Sequence, residues 1–423
     1  MTKEADRLLK QGILQYQTRQ FETALQSWQT ALSLYPTQDL RRQGAALGNL
    51  GAGHQALGDY SKAIECYQQH LSIAQQIQDN KGAANALLNL GNAYHAVGDI
   101  PKAIEYQQQS LAIVQVSQDS QAEGQTLYNL GAAYYAIEDY SRAIAYFEQY
   151  LVIASKFPDA EREGQVLKRL RLTYAALGDL TRTHKYQQQQ LGMLRELLLA
   201  AKAADFIKTA KLVGVNPFED FAGADLSGVN LSSASLKGAD LHGANLSSTN
   251  LSFADLNRVD LNHAILSGAD LTLANLSRAN LSSADLVHAT LSNANLRDAD
   301  LCDANLSHAD LRCMLPRANL SGANLSGANL CSAYLPSANL SGANLSGAGL
   351  RDADLSEVDI RGANLQSADL SRVNLSGARV ENALLSKALG LSEEIKHDLQ
   401  SQGAIFEEGS GDRASLSYLS PQL

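Results

Sequence analysis

Residues 224–243 read Ala224-Asp225-Leu226-Ser227-Gly228, Val229-Asn230-Leu231-Ser232-Ser233, Ala234-Ser235-Leu236-Lys237-Gly238, Ala239-Asp240-Leu241-His242-Gly243. The period is five residues, and it continues to Leu385. Leu fills every fifth site from Leu226 to Leu311, 18 centres, and a second series from Leu315 to Leu385 adds 15, with Ile360 and Val380 as exceptions. Two residues before each centre stands a small residue, nearly always Ala and otherwise Val229, Thr249, Val259, Cys313, Val358 or Val373. Five residues advance a helix by about 500°, so the Leu would wander round it, and they reverse the face of a strand at every repeat. A constant interior therefore requires the chain to turn a corner once per five residues. Four corners close a square coil of 20 residues, stacked at about 4.8 Å. Leu fills the axis, Ala sits inside the walls, and Asp or Asn before the Leu with Ser-Gly after it suit tight turns. Eight coils predict a rod of roughly 40 Å. The step from Leu311 to Leu315 is four residues, so a local defect is expected at Arg312, Cys313 and Met314.

Working outward, the N-terminal half repeats at a different period. Leu47-x-x-Leu50-Gly51-x-x-His54 recurs as Leu87-x-x-Leu90-Gly91-x-x-Tyr94, Leu127-x-x-Leu130-Gly131-x-x-Tyr134 and Leu167-x-x-Leu170-Arg171-x-x-Tyr174, each 40 residues after the last. Positions i, i+3, i+4 and i+7 share one helical face, and Gly at i+4 admits a close partner helix. Gly58-Asp59-Tyr60, Gly98-Asp99-Ile100, Glu138-Asp139-Tyr140 and Gly178-Asp179-Leu180 stop one helix and cap the next. The second helix carries Ala63-x-x-x-Tyr67, Ala103-x-x-x-Gln107, Ala143-x-x-x-Phe147 and Thr183-x-x-x-Gln187, and an earlier copy fits with Leu8, Gly12, Phe21, Ala24 and Trp28.

The 40-residue unit resembles the tetratricopeptide repeat in its long form, as in kinesin light chains and LGN-type adaptors. The five-residue unit resembles the pentapeptide-repeat family. Together they imply two solenoids, an all-α superhelix followed by an all-β right-handed quadrilateral β-helix, and a cyanobacterial type of chain. The expected organisation has helix pairs at about 8–46, 47–86, 87–126, 127–166 and 167–206 within a domain 1–206. A linker and N-terminal cap at 207–220, the β-helix at 221–385, a capping helix within 386–408 and a disordered tail at 409–423 follow. In the capping helix Ser392 is the expected N-cap, Ile395 and Leu399 point inward, and Gly403 stops it.

Asn49, Asn89 and Asn129 recur at the period of 40, each two residues after the first packing Leu and so about 200° round the helix from it. They are expected on a concave face, between Lys10 and Arg169 at the ends. An amide both donates and accepts, which suits the backbone of an extended segment. In the families resembled, such Asn positions hold bound peptide; the bland reading is bonding between neighbouring helices. Asn85, Asn92, His95, Gln125, Tyr128 and Tyr135 are expected to line the same face. A cluster of Lys and Arg able to grip a C-terminal carboxylate is missing from this set.

On the rod, a column at a period of 20 carries Arg258, Arg278, Asp298 and Arg317, a neighbouring one Phe253 and Leu273, and a third His288 and His308. Exposed Phe and Leu beside Arg make a second candidate contact patch. Scattered variation in a tolerant repeat is its bland reading.

Composition agrees with both periods. Only 6% of the 423 residues are aromatic, as expected where Leu and Ala fill a narrow core. The net charge of −10 lies almost wholly beyond residue 206, where 15 Lys+Arg face 24 Asp+Glu, many of them the Asp that turns require. That balance gives no electrostatic footprint for nucleic-acid phosphate. MTKEADRLLK lacks a signal-peptide apolar core, and no apolar run is long enough for a membrane span, so a cytoplasmic protein without membrane insertion is expected. The four Cys form no C-x-x-C pair, and no P-loop, nucleotide-binding Gly motif, H-E-x-x-H or G-x-S-x-G occurs. The expectation is a non-enzymatic scaffold with a protein or peptide partner and neither cofactor nor metal. Quinolone-resistance pentapeptide proteins, which imitate duplex DNA and bind gyrase, imply an alternative. It requires a continuous acidic face, which the Arg column interrupts.

Overall fold

The computed structural model describes residues 2–157, 159–200 and 205–406. The chain divides into two compact units, residues 1–189 and 190–423.

The first unit is a helical solenoid. Its antiparallel pairs are α1 (Thr2–Gln17) with α2 (Phe21–Leu34), α3 (Leu40–Ala56) with α4 (Tyr60–Gln76), α5 (Asn80–Ala96) with α6 (Ile100–Ser117) and α7 (Ser120–Ala136) with α8 (Tyr140–Ala154). The last pair is α9 (Ala160–Leu177) with α10 (Leu180–Ala200), and Tyr186 near the start of α10 belongs to the helical core. Sequence explains the helix starts. Asp59, Asp99 and Asp139 each accept from the backbone N–H three residues on, at Lys62, Lys102 and Arg142. Each replaces one of the hydrogen bonds a helix start leaves unmade. The N3 cations Lys62 and Lys102 then pair with the same carboxylates at 2.9 Å.

The repeated Leu-Gly has an equally local cause. Gly131 faces the ring of Phe147, and a Cβ there would stand 2.6 Å from the Phe147 Cε1. Gly12 meets Trp28, Gly51 meets Tyr67 and Gly91 meets Gln107 in the same way. Small residues on the first helix of the first four pairs thus receive large ones from the second, which is how closely spaced helices keep interior density. A stacked tyrosine pair sits at each later repeat: Tyr94 with Tyr106, Tyr134 with Tyr146 and Tyr174 with Tyr186, with centroids 5.4–5.5 Å apart. Lys102, Arg142 and Arg182 lie over the first ring of each pair at 5.0, 5.2 and 5.3 Å.

The second unit is built on one register of 20 residues. Asp225 bridges Asn245, Asn245 bridges Ile265, and parallel bridges continue in this way to the pairing of Leu384 with Ile405. Each backbone position therefore lies beside its counterpart one level along. Leu centres and their Ala partners are almost all buried, forming one continuous core. Among the described residues no extended strand runs through this array, and each pairing is a single-residue bridge. The physical reason is the short unit: each five residues spend two on a turn, leaving no room for a longer ladder. The residue two after each centre, except Cys313 after Leu311, adopts left-handed φ, from +55° at His263 to +71° at Gly377.

The four-residue step lies where the sequence places it. Asn295 bridges Met314 and Asp310 bridges Asn329, pairings of 19, after which Met314 to Tyr334 restores 20. Cys313 is buried at this step and Met314 is exposed.

Both ends of the array carry apolar cover. Leu191, Leu194 and Leu198 of α10, Phe206 and Ala210 of α11 (Phe206–Leu212) and Phe221 join the core beside Leu226. Further along, α12 (Glu393–Ser401) starts at Ser392, whose hydroxyl accepts from the Ile395 N–H. Leu399 is buried, but Ile395 is 44% exposed, correcting its inward placement. Residues four apart share a helical stripe, and on nine residues only Leu399 reaches the core. The chain then turns at Gly403 and rejoins the register at Ile405. The tail expected from 409 lies outside the described residues.

Candidate functional site

The first helix of each pair carries the candidate groove residues. Asn49 on α3 and Asn89 on α5 are half-buried, and neither amide makes a hydrogen bond among the described residues. Asn129 on α7 differs: its Nδ2 donates to Asn92 Oδ1 at 2.7 Å, and its Oδ1 accepts from Gln125 Nε2 at 3.1 Å. Three expected groove amides, Asn92, Gln125 and Asn129, are thus brought together, but they bond one another.

Tyr128 and Arg169 are also joined. Arg169 Nε donates to the Tyr128 hydroxyl at 2.9 Å, and the guanidinium lies 5.7 Å from that ring. Tyr128 packs against Phe147 and Tyr150. Tyr135 instead leans on Tyr140, with centroids 5.5 Å apart. His95 is half-buried with its Nε2 buried and unbonded among the described residues. Lys10 is exposed and enters no ion pair with them.

A recess of about 330 Å³ opens beside this set. Asn85 and Gln125 line it, together with Lys81, Tyr150, Phe157 and Arg162, which sequence reasoning missed. Phe157 is the clearest signal available, a Phe with 44% of its surface exposed just after α8. Its periodic counterparts, Ile77 and Ser117, show no shared residue type, so the 40-residue pattern does not mark it. Arg162 is held near Asp159 at 2.9 Å, which places a cation at the rim.

On the array, the expected columns are real neighbours across levels. Arg317 makes two hydrogen bonds to Asp298, at 2.7 and 2.9 Å, and Arg278 stands 4.0 Å from the same carboxylate. Arg317 beside it holds the Asp298 carboxyl below its ordinary range. His288 and His308 stack with centroids 5.3 Å apart and planes 18° from parallel. Among the described residues no group of three or more His, Cys, Asp or Glu could hold a metal ion, and no helix is long and apolar enough to cross a membrane.

A helical solenoid with period 40, followed by an array with period five, defines a protein built mainly from short repeats. Tetratricopeptide-repeat family models match residues 8–37, 46–81 and 82–156. The pentapeptide-repeat model matches 220–252, 254–293, 279–312, 315–352 and 348–386. The chain carries tetratricopeptide repeats in its N-terminal part and pentapeptide repeats in its C-terminal part. Among solved structures it is similar to HetL, a pentapeptide-repeat protein involved in heterocyst differentiation regulation in the cyanobacterium Nostoc. Identity there is 33%, over 45% of this chain and 97% of HetL, with a TM-score of 0.26. Similarity extends to BtubC of P. vanneervenii at 20% identity, 48% of this chain, 90% of that chain and a TM-score of 0.43. A Podosopora anserina kinesin light chain with nearly identical repeats matches at 18%, 47%, 98% and 0.41, respectively. No curated protein sequence matches the chain.

Proposed function

We propose that the N-terminal repeats, within residues 1–206, hold an extended segment of a protein partner, making the chain a non-enzymatic adaptor. The observation that carries this reading is the contrast among the three periodic Asn. Asn129 is closed by Asn92 and Gln125, whereas among the described residues the half-buried amides of Asn49 and Asn89 are left with unused donors and acceptors. A half-buried amide without partners has much to gain from a peptide backbone. The recess beside Asn85 and Gln125, with Tyr150 and Phe157 in its lining, then takes a side chain of the same segment.

The C-terminal repeats, residues 221–385, serve as a rigid spacer or second docking surface. We read them as a right-handed quadrilateral β-helix; the 20-residue bridges and the continuous Leu and Ala core support that reading. Asp298 with Arg278 and Arg317 breaks the acidic surface that imitation of duplex DNA requires.

The test is affinity capture from lysate with the full chain and with an Asn49→Ala plus Asn89→Ala variant, both checked for unchanged circular dichroism. Loss of two backbone hydrogen bonds at about 0.5–1.5 kcal/mol each lowers retention about fivefold to a hundredfold. Identical capture by both proteins refutes the groove.

A further inference from the structure

The turn residue two after each Leu centre identifies a second surface, independent of the groove. In the array this residue, except Cys313 at the shortened step, has left-handed φ, a conformation that suits Gly and short polar side chains and is strained for bulky apolar ones. The residues found at the left-handed positions are Gly, Ser, Asn, Asp, Glu, His, Arg or Lys, with two exceptions among the described residues: Phe253 at φ +60° and Leu273 at φ +59°. Neither is repaid by packing, since Phe253 is 61% exposed and Leu273 48% exposed. The exceptions also coincide in space. The Phe253 N–H donates to Thr272 O at 2.9 Å, so the two residues occupy the same corner on successive levels.

Five residues along, the next corner carries Arg258 and Arg278 on the same two levels, with the Arg258 N–H donating to Ser277 O at 3.0 Å. The wall between the corners is fixed by side-chain bonds. Asn257 Nδ2 reaches Ser277 O and Oγ at 2.8 Å, and Asn275 Nδ2 reaches Asp255 Oδ1 at 3.0 Å. Lys237 one level before and Arg297 one level after are exposed, and with Arg258 they form no ion pair among the described residues. Arg317 is not available in the same way, because Asp298 holds it.

We propose that Phe253–Arg258 and Leu273–Arg278 form a docking surface for an acidic protein segment bearing an apolar side chain. The apolar group covers Phe253 and Leu273, while its carboxylates face Lys237, Arg258, Arg278 and Arg297. Charge complementarity selects this occupant: the four Lys and Arg that precede the shortened step, Lys237, Arg258, Arg278 and Arg297, share one strip of an otherwise acidic stretch, next to a wall carrying Asp240, Asp260 and Asp300. A short acidic segment fits that strip, whereas a nucleic-acid strand, uniformly charged over a greater breadth, would also meet the acidic wall.

The experiment uses the full chain and fluorescence anisotropy with three labelled probes: the peptide EEFLEEFLEE, its counterpart KKFLKKFLKK, and oligothymidylate. The acidic peptide is expected to bind and to weaken about tenfold or more with Phe253→Ser plus Leu273→Ser, and again with Arg258→Ala plus Arg278→Ala. Asn49→Ala plus Asn89→Ala leaves it unchanged, which separates this surface from the groove. The Ser variant is also expected to melt at or above the wild-type temperature, because Ser occupies the same turn position at Ser233, Ser248 and Ser283. No binding of the acidic peptide, equal binding of the basic one, preference for oligothymidylate, or unaltered binding by either array variant overturns the proposal. A lower melting temperature for the Ser variant also overturns it, since the two side chains would then be packing residues.

Discussion

Replacing Gly131 with Ala sets two effects of opposite sign against each other. Ala is the better helix former by about 1 kcal/mol, so propensity alone makes the substitution stabilising. The new Cβ, however, would stand 2.6 and 2.7 Å from Cε1 and Cδ1 of Phe147. That is about 1 Å inside ordinary carbon contact. Phe147 has no slack, being 0% exposed and packed against Tyr128 at a centroid distance of 5.8 Å. Overpacking costs about 1–3 kcal/mol, and a blocked aromatic ring places this site toward the upper end. The net expectation is a loss of about 1–2 kcal/mol, or about 2–8 °C in melting temperature for a unit of this size. Gly192 supplies the opposite case: it is an exposed residue in α10 whose added Cβ meets nothing within 4 Å. Gly192→Ala should stabilise by about 0.5–1 kcal/mol. Circular dichroism at the helical minimum, followed through urea titration, reads both variants. If Gly131→Ala raises the midpoint as Gly192→Ala does, the ring-against-glycine account of the repeated Leu-Gly is wrong.

Two further expectations concern titration and reactivity. Burial lowers the His70 pKa from its ordinary 6.5, with Asp79 opposing the shift, and His54 is lowered by burial against the pull of Asp59. The unfolded chain therefore takes up protons first as pH falls. The stability these neutral imidazoles contribute is complete above about 6.5 and is lost below it, toward their lower folded values. Urea midpoints at about pH 7.5 and 5.5 should fall accordingly, with His70→Gln flattening the slope; a slope unchanged in that variant counts against the assignment. The capping carboxylates Asp59 and Asp99, lowered from 3.8 by Lys62 and Lys102, lose their contribution only at more acid pH. Among the cysteines, burial pushes the Cys313 thiol far up, while Cys302 and Cys331 are only half-buried. A thiol reagent at about pH 8 should modify Cys302 and Cys331 first and reach Cys313 only in denaturant. Rapid labelling of Cys313 in the folded chain would contradict its placement.

Periodicity made the backbone readable. The five-residue Leu pattern identifies the buried sites from Leu226 onward, and the shortened step at Leu311 to Leu315 places the change to 19-residue pairing. The Gly and aromatic positions likewise identify which helix face meets its partner. The groove was less legible because it depends on which neighbour a side chain reaches. Asn49, Asn89 and Asn129 are equivalent in sequence, yet only Asn129 finds Asn92 and Gln125 within reach. Position 92 is Asn whereas its counterpart one repeat earlier is Ala52, so the partner itself falls outside the pattern. Arg317 shows the same limit on the array. Its column was readable, but its bond to Asp298 depends on side-chain direction across two levels. Ile395 shows that sharing a stripe with Leu399 sets the direction of a side chain without setting its depth.

The 19-residue pairings also define which inherited length changes this array can absorb. One residue is missing, yet Asp298 and Arg317 still meet, because the loss is taken up at a single corner and every later unit keeps its wall. Gain or loss of one five-residue unit would instead move all that follows to the next wall, separating columns that now touch. Duplication of 20 residues would lengthen the array while leaving each column in line. Surfaces spanning several levels, such as the one bounded by Phe253 and Arg278, are therefore preserved by whole-level duplication and by single-residue deletion at a corner, but erased by the five-residue slippage that a repetitive coding sequence invites.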